Sequence, residues 1–527
     1  ALTGGSTLLG QVIETVSVAS DSVANTLADL QTTGVGTTKL VTTGAKQLTI
    51  SAALDSEIVT IDASGMTGLS GLALGAAPST TVGITATGSG GKDTIYGSAG
   101  KDNISSGAGN DTINLGTIVA TDTVDGGAGT DTVVATATIS SDTVFAGLSN
   151  VETLSLSGAI NATLTGAGTF DTVKDDGSSN NTITIDTSYG GSAITVDITG
   201  DANANDIITN SSAATLTVVA GTADLNGASN TTITASATNL GDTLSLQPDG
   251  AGDLGANGGN NQITGFDKIV FNDAATGNTA TTLTLGDYAT ALTIDASALD
   301  ATDAAINIAG ANVSKSMTYT GGAGVDNFTG GGTVGDNIST GAGNDIIAGT
   351  AGNNTIDGGA GVDTITLGTG KDHVEAGAGN DIIIAAAQIK ADDTIDGGDG
   401  TDTLTHTGAI AYSTILGGLS NVEVLATEGD TAVTLQSAIP GLEKISLANT
   451  DNQVITFATG YTGAMTVDLS DDSNDNQDSV INTAGIDLTV TGYGLSFDSD
   501  TTITGGAGTD SIVMTNTADF SAILTNV

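Results

Sequence analysis

Thirteen times along this chain a short glycine-rich run ends on an aspartate or asparagine, with a large apolar residue two places later. The side chains so delivered are Asp93, Asp102, Asp111, Asp131, Asp326, Asp336, Asp345, Asn354, Asp363, Asp372, Asp381, Asp402 and Asp510. Gly88 to Asn114 reads GSGGKDTIY, GSAGKDNIS, SGAGNDTIN. A longer run opens at Gly321 with GGAGVDNFT, takes an extra Gly330, and continues GGTVGDNIS, TGAGNDIIA, GTAGNNTID, GGAGVDTIT, LGTGKDHVE, AGAGNDIII. Isolated copies start at Gly126, Gly397 and Gly505. If nine residues make one turn and one strand, two nonapeptides complete a coil, and carboxylates of repeats i and i+2 lie about 4.8 Å apart. Like charges that close repel unless a cation bridges them. Carboxylate and carbonyl oxygens in a pliable turn suit Ca²⁺, whereas Mg²⁺ demands a small rigid octahedron and Zn²⁺ prefers nitrogen or sulfur.

The spacing predicts one file of Asp326, Asp345, Asp363 and Asp381, and an opposite file of Asp336, Asn354 and Asp372. In the first run Asp93 pairs with Asp111, and Asp122 is the candidate partner of Asp102. Asn354 keeps an oxygen but no charge, so its site is expected to be weaker. The ten-residue step before Asp336, with Val334 where glycine is expected, marks a local irregularity.

These side chains need elements to hold them. Glycines at positions one, two and four permit positive φ and close backbone approach. Position eight is apolar in all thirteen copies, against about five expected from a 38% hydrophobic composition. A flexible linker or a solvated charge run would not phase its apolar residues. Between the runs, NTITIDTSY, ATLTVVAG and TALTIDAS alternate apolar with Thr, Ser or Asp and read as short strands. The segment from Val12 to Leu30 is the one helical candidate.

The ten basic residues of the 527-residue chain face 59 carboxylates, giving a net charge of -49. Nucleic acid is excluded as a partner because no basic patch exists to release its counterions. With 38% hydrophobic residues the chain is nonetheless a folding sequence, so its partner is a cation. No apolar run is long enough to span a bilayer. Cysteine is absent, which fits a surface protein stapled by metal. The chain opens at Ala1 without Met or signal region and is read as a fragment or processed product.

A second, longer repetition is a duplication. IVATDTVDGGAGTDTV and FAGLSNVETLSLSGA match IKADDTIDGGDGTDTL and LGGLSNVEVLATEGD, placing Glu152 and Glu423 at an offset of 271. Asp197 and Asp468 share that offset, and Asp62 matches Asp295 at 233. The organisation expected is an N-terminal β segment (1–80), a first nonapeptide run (81–134), a β-rich solenoid or sandwich segment (135–320), a longer run (321–405), a β-rich segment (406–500) duplicating 135–230, and the start of a third run (501–527). The fold class expected is all-β, a parallel β-roll or β-helix-like solenoid, elongated, with modules fused without linkers.

GGAGVDNFT, TGAGNDIIA, GGAGVDTIT and AGAGNDIII resemble the RTX (repeats-in-toxin) nonapeptides. That resemblance implies a parallel β-roll with Ca²⁺ in its turns. The Thr/Ser/Ala-rich remainder, punctuated by GLSNVETLSLSGA, is similar in composition to RTX-containing bacterial S-layer proteins of the Caulobacter type. The implications are type I secretion, folding outside the cell on meeting calcium, and Ca²⁺-dependent lattice assembly, with attachment to surface polysaccharide or lipopolysaccharide through another part of the protein.

An enzyme is disfavoured. The two histidines, His373 and His406, read as exposed strand residues, and neither lies in an HExxH or near a GxSxG arrangement. Glycosidase-like carboxylate pairs are expected from composition alone, and the aromatics that bind sugars are scarce. Glu152 and Glu423 read as structural, through turn hydrogen bonds or as extra calcium ligands, and Asp197 and Asp468 likewise. An RTX adhesin or biofilm-matrix protein is the competing reading, and the non-catalytic part of a secreted RTX enzyme a third.

Overall fold

The computed structural model describes every residue except 1–4, 8–12, 32–37, 79, 167–169, 176–179, 200–204, 226–230, 237–240, 249–251, 255–261, 273–279, 289, 387–388, 408–415, 429–431, 449–451, 472–476, 494–496, 498–499, 516–521 and 526. The chain divides into two units, Ala1–Leu246 with Gly259–Asp267, and Gln247–Gly258 with Lys268–Val527. Each is a parallel β-solenoid.

In the first unit, Lys92–Tyr96 pairs with Thr112–Gly116, then Thr132–Ala135, then Thr153–Leu156, all in parallel. A second ladder stacks Thr85–Ser89, Asn103–Gly107, Thr123–Asp125 and Leu148–Ser149. In the second unit, Asn337–Ser339, Thr355–Asp357 and His373–Ala378 form one ladder. Its counterpart stacks Asp326–Thr329, Ile346–Ala348, Thr364–Thr366, Ile382–Ala386 and Thr403–Thr407. Ile347 registers with Ile365, and Ile338 with Ile356, eighteen residues apart in each case. Two nonapeptides therefore make one coil, as the spacing predicts.

Twelve of the thirteen position-eight residues are at most 1% exposed and line the core. Ile512 differs and is only half-buried, on Ser511–Met514, the last strand of its ladder. Thr and Asn at position seven face outward, because successive side chains of a strand point to opposite faces. Ile365, fully buried, touches the coils above and below it through the ladder. Ile365→Ala is expected to cost about 2–5 kcal/mol by opening a cavity that rigidly registered neighbours cannot fill. Thermal unfolding in saturating calcium measures it.

Among the described residues the only helical turns are three short 3-10 segments, Asp142–Phe145, Ala223–Leu225 and Leu416–Gly418. The expected helix is overturned: Thr15–Ala19, Asn25–Leu27 and Asp29–Gln31 are strands, and Val12 lies outside the described residues. The reason is tertiary. Val16 and Val18 alternate with Thr15 and Ser17 at period two and dock in register on Leu40 and Thr42 of the next coil. Among the described residues no helix is long and apolar enough to cross a membrane.

Candidate metal centre

Each nonapeptide side chain sits just before its strand or, at Asp93 and Asp326, within the strand's first two residues, so the strand register fixes the carboxylate register. In every file, Oδ1 accepts the main-chain N–H of the equivalent residue one coil earlier. Asp345 receives Asp326 N, Asp363 receives Asp345 N, Asp381 receives Asp363 N and Asp402 receives Asp381 N, all at 2.8 Å. The other side of the coil runs Asp336 to Asn354, Asp372 and Asp393 at 2.9–3.0 Å. In the first unit Asp93 leads to Asp111 and Asp131, and Asp102 leads to Asp122. All of these side chains are buried.

The structure thus brings together the files expected and corrects one reading. Asp131 and Asp402 are not isolated; each continues a file. Asp111 to Asp131 spans twenty residues and Asp381 to Asp402 twenty-one, yet Val133 and Leu404 keep register with Ile113 and Ile383. The extra residues are absorbed on the far side of the coil, before Asp122 and Asp393. Asp393 went unseen in the sequence because no glycines precede it.

Oδ2 divides the sites into two classes. In closed turns a main-chain donor from the same turn satisfies it: Ser89 N to Asp93 (2.6 Å), Ser98 N to Asp102 (2.9 Å), Gly322 N to Asp326 (3.1 Å), Gly331 N to Asp336 (3.0 Å) and Gly506 N to Asp510 (3.1 Å). Asp122 and Asp393 are closed likewise by Val119 N and Lys390 N. In open turns Oδ2 is buried and meets no hydrogen-bond partner: Asp111, Asp131, Asp345, Asp363, Asp381 and Asp402. These are the six turns whose glycines at positions two and four both have positive φ, as at Gly359 (92°) and Gly361 (141°). Asp111 and Asp131 continue the file of Asp93 in the first unit, and Asp345, Asp363, Asp381 and Asp402 continue that of Asp326 in the second. At the Asn354 turn the side-chain amide donates to Asp372 Oδ1 at 3.0 Å, standing where a cation would bridge.

The open turns fit a hard cation. At Gly358 a Cβ would lie 2.5 Å from Ala376 O of the next coil and 2.7 Å from Asp363 Oδ2, so oxygens from successive coils converge beside this turn, as they also do at Gly88 and Gly321. Burial pushes Asp363 up to about 7 and Asp111 up to about 6, and raises Asp131, Asp345, Asp381 and Asp402 as well. A bound cation would hold these carboxylates ionised. Among the described residues no three His, Cys, Asp or Glu side chains converge as a metal cluster, so main-chain carbonyls must supply the remaining ligands, which suits calcium.

The remaining sequence candidates are placed as follows. His373 is exposed, its Nδ1 2.5 Å from Thr394 Oγ1. His406 is buried, not exposed as read from the sequence, and burial lowers it to about 4. It lies on the inward face of Thr403–Thr407 because the strand's alternation puts it two places beyond Leu404. Asp197 and Asp468 accept the N–H two residues on, at 3.0 Å each, and Asp468 also pairs with Lys444 at 2.5 Å.

A family model, the RTX calcium-binding nonapeptide repeat (4 copies), matches residues 85–117, 120–137, 331–365, 339–374, 361–388 and 390–407. No curated protein matches the chain. The register, the buried carboxylate files and this match agree: the nonapeptide runs are RTX calcium-binding repeats, and they bind multiple Ca²⁺ ions.

Proposed function

We propose that the chain is a structural protein of the bacterial cell surface, exported by type I secretion, folded by external calcium and assembled with copies of itself into a two-dimensional S-layer lattice. It has no catalytic role in this reading. Calcium occupies the six open turns first, at Asp111, Asp131, Asp345, Asp363, Asp381 and Asp402. Asp93, Asp102, Asp326, Asp336, Asn354, Asp372 and Asp510 begin or flank the files and hold the coils in register. Attachment to surface polysaccharide or lipopolysaccharide belongs to another part of the protein.

The observation that carries the reading is the set of buried, unpartnered Oδ2 atoms, whose neutralisation depends on a cation abundant outside the cell and scarce within. A body made rigid only by external calcium suits a lattice that must not form before export. Electron microscopy of the protein in millimolar Ca²⁺ is expected to show ordered two-dimensional arrays that dissolve in chelator. Separate monomers at every calcium concentration would sink the lattice and favour an adhesin.

A further inference from the structure

The duplicated Ser-Asn-Val-Glu motif follows the last open turn of each file. Asn150 and Asn421 are the only non-glycine residues with positive φ among the described residues, at 50° each. Left-handed backbone is uncommon outside glycine and, where held, points to a constraint. Here the constraint is visible: the Asn150 and Asn421 amides donate to Asp125 and Asp396 Oδ1, both at 2.7 Å.

The left-handed turn aims a carbonyl. At Gly126 a Cβ would collide with Asn150 O and lie 2.7 Å from Asp131 Oδ2; at Gly397 it would collide with Asn421 O and lie 2.7 Å from Asp402 Oδ2. This is the place Ala376 O takes beside Gly358 and Asp363 in the repeats. Gly126 N also donates to Ser149 O, just as Gly358 N donates to Glu375 O, so Asn150 stands where position one of another nonapeptide would. Glu then follows Asn by two residues, where a nonapeptide aspartate would follow by five. Its longer side chain spans the shortened turn, and Oε2 accepts Asp131 N at 2.7 Å and Asp402 N at 2.8 Å, the bond Oδ1 makes elsewhere. Asp131 and Asp402 themselves are fully buried with Oδ2 unpartnered.

We propose that Ser-Asn-Val-Glu is the closing half of a terminal Ca²⁺ site, built in one unit from Asp131, the Asn150 carbonyl and Glu152, and in the other from Asp402, the Asn421 carbonyl and Glu423. The proposal rests on calcium occupying the open turns and adds that each file ends on an ion held by a motif that is not a nonapeptide. Without it the last carboxylate of each file would be a buried charge with nothing opposite.

The test counts ions per full chain by equilibrium dialysis with elemental analysis. Asn421→Gly keeps the left-handed turn and its carbonyl, whereas Asn421→Ala disfavours them; both remove the same amide, and Asn421 is exposed, so neither empties the core. The glycine variant is expected to keep the wild-type count and the alanine variant to lose one ion. Glu423→Gln, which preserves an acceptor for Asp402 N but drops the charge, is expected to lose one ion, and Glu152→Gln with Glu423→Gln two. Equal counts for Asn421→Ala, Asn421→Gly, Glu423→Gln and wild type would overturn the proposal while leaving calcium in the repeats standing. A wild-type chain that binds no calcium would instead sink the reading on which it rests.

Discussion

Removing calcium at neutral pH is expected to unfold the nonapeptide coils, seen by circular dichroism as loss of β signal that returns when Ca²⁺ is restored. Among the described residues six carboxylate oxygens are buried without a hydrogen-bond partner. An uncompensated buried ion costs several kcal/mol even after relaxation, and a domain's whole stability is about 5–15 kcal/mol, so a few such sites exceed it. The pH dependence follows from the same burial. In the calcium-free fold Asp363 and Asp326 are pushed up to about 7 and Asp111 to about 6, against an ordinary 3.8. Between those values the folded state holds more protons than the unfolded chain, so stability is fullest below the ordinary carboxylate range and falls as pH rises through 6 to 7. Calcium-free protein should therefore melt higher at pH 5 than at pH 7.5. Calcium-loaded protein should do the reverse, because protons compete with the ions for ionised carboxylates. An unchanged spectrum and melting temperature in chelator at pH 7.5 would refute the folding switch.

Asp363→Ala is expected to be among the most damaging single aspartate changes, and the contrast with Asp336→Ala gives it meaning. Asp363 accepts Asp345 N through Oδ1 and presents a buried, unpartnered Oδ2. Its loss strips a charge from the ion beside it and leaves the remaining ligands facing one another, a penalty of about 3–5 kcal/mol in saturating calcium. At Asp336 both oxygens already accept main-chain N–H groups, from Met317 and Gly331. Replacing it orphans those donors at about 1–3 kcal/mol and should leave the ion count unchanged. Asp131→Ala should behave like Asp363→Ala, since Asp131 sits between Asp111 and Glu152 in a continuous file. Calcium stoichiometry together with thermal melts separates the classes; equal ion loss from Asp363→Ala and Asp336→Ala would remove the distinction between open and closed turns.

Much of this was legible in the residues. Position-eight apolar phasing marked the inward face, and the nine-residue period placed Asp345 over Asp363, and Asn354 between Asp336 and Asp372, because strand alternation and coil length are local properties. Glu152 and Glu423 stood out through duplication, but their reach to Asp131 N and Asp402 N did not, since it depends on a turn shortened by a left-handed asparagine. The Val12 to Leu30 segment misled because its strands take their shape from docking on Leu40 and Leu48 of the next coil.

By its sequence alone this protein is committed to carboxylates stacked at two nonapeptides per coil, and hence to a cation. Which carboxylates stay open to that cation is a tertiary matter. GGAGVD occurs at 321–326 and again at 358–363, the same six residues. At 358–363 the turn is hydrogen-bonded between two like turns, Ala360 N to Gly341 O and Gly361 N to Ala378 O, Gly359 and Gly361 are left-handed and Asp363 Oδ2 is open. At 321–326 the preceding coil offers Leu299 O to Ala323 N and Ile306 opposite Asp326, so there is no like turn to stack on; the turn closes, and Gly322 N takes Oδ2. A turn of glycines has several conformations of similar energy, and the neighbouring coil selects among them.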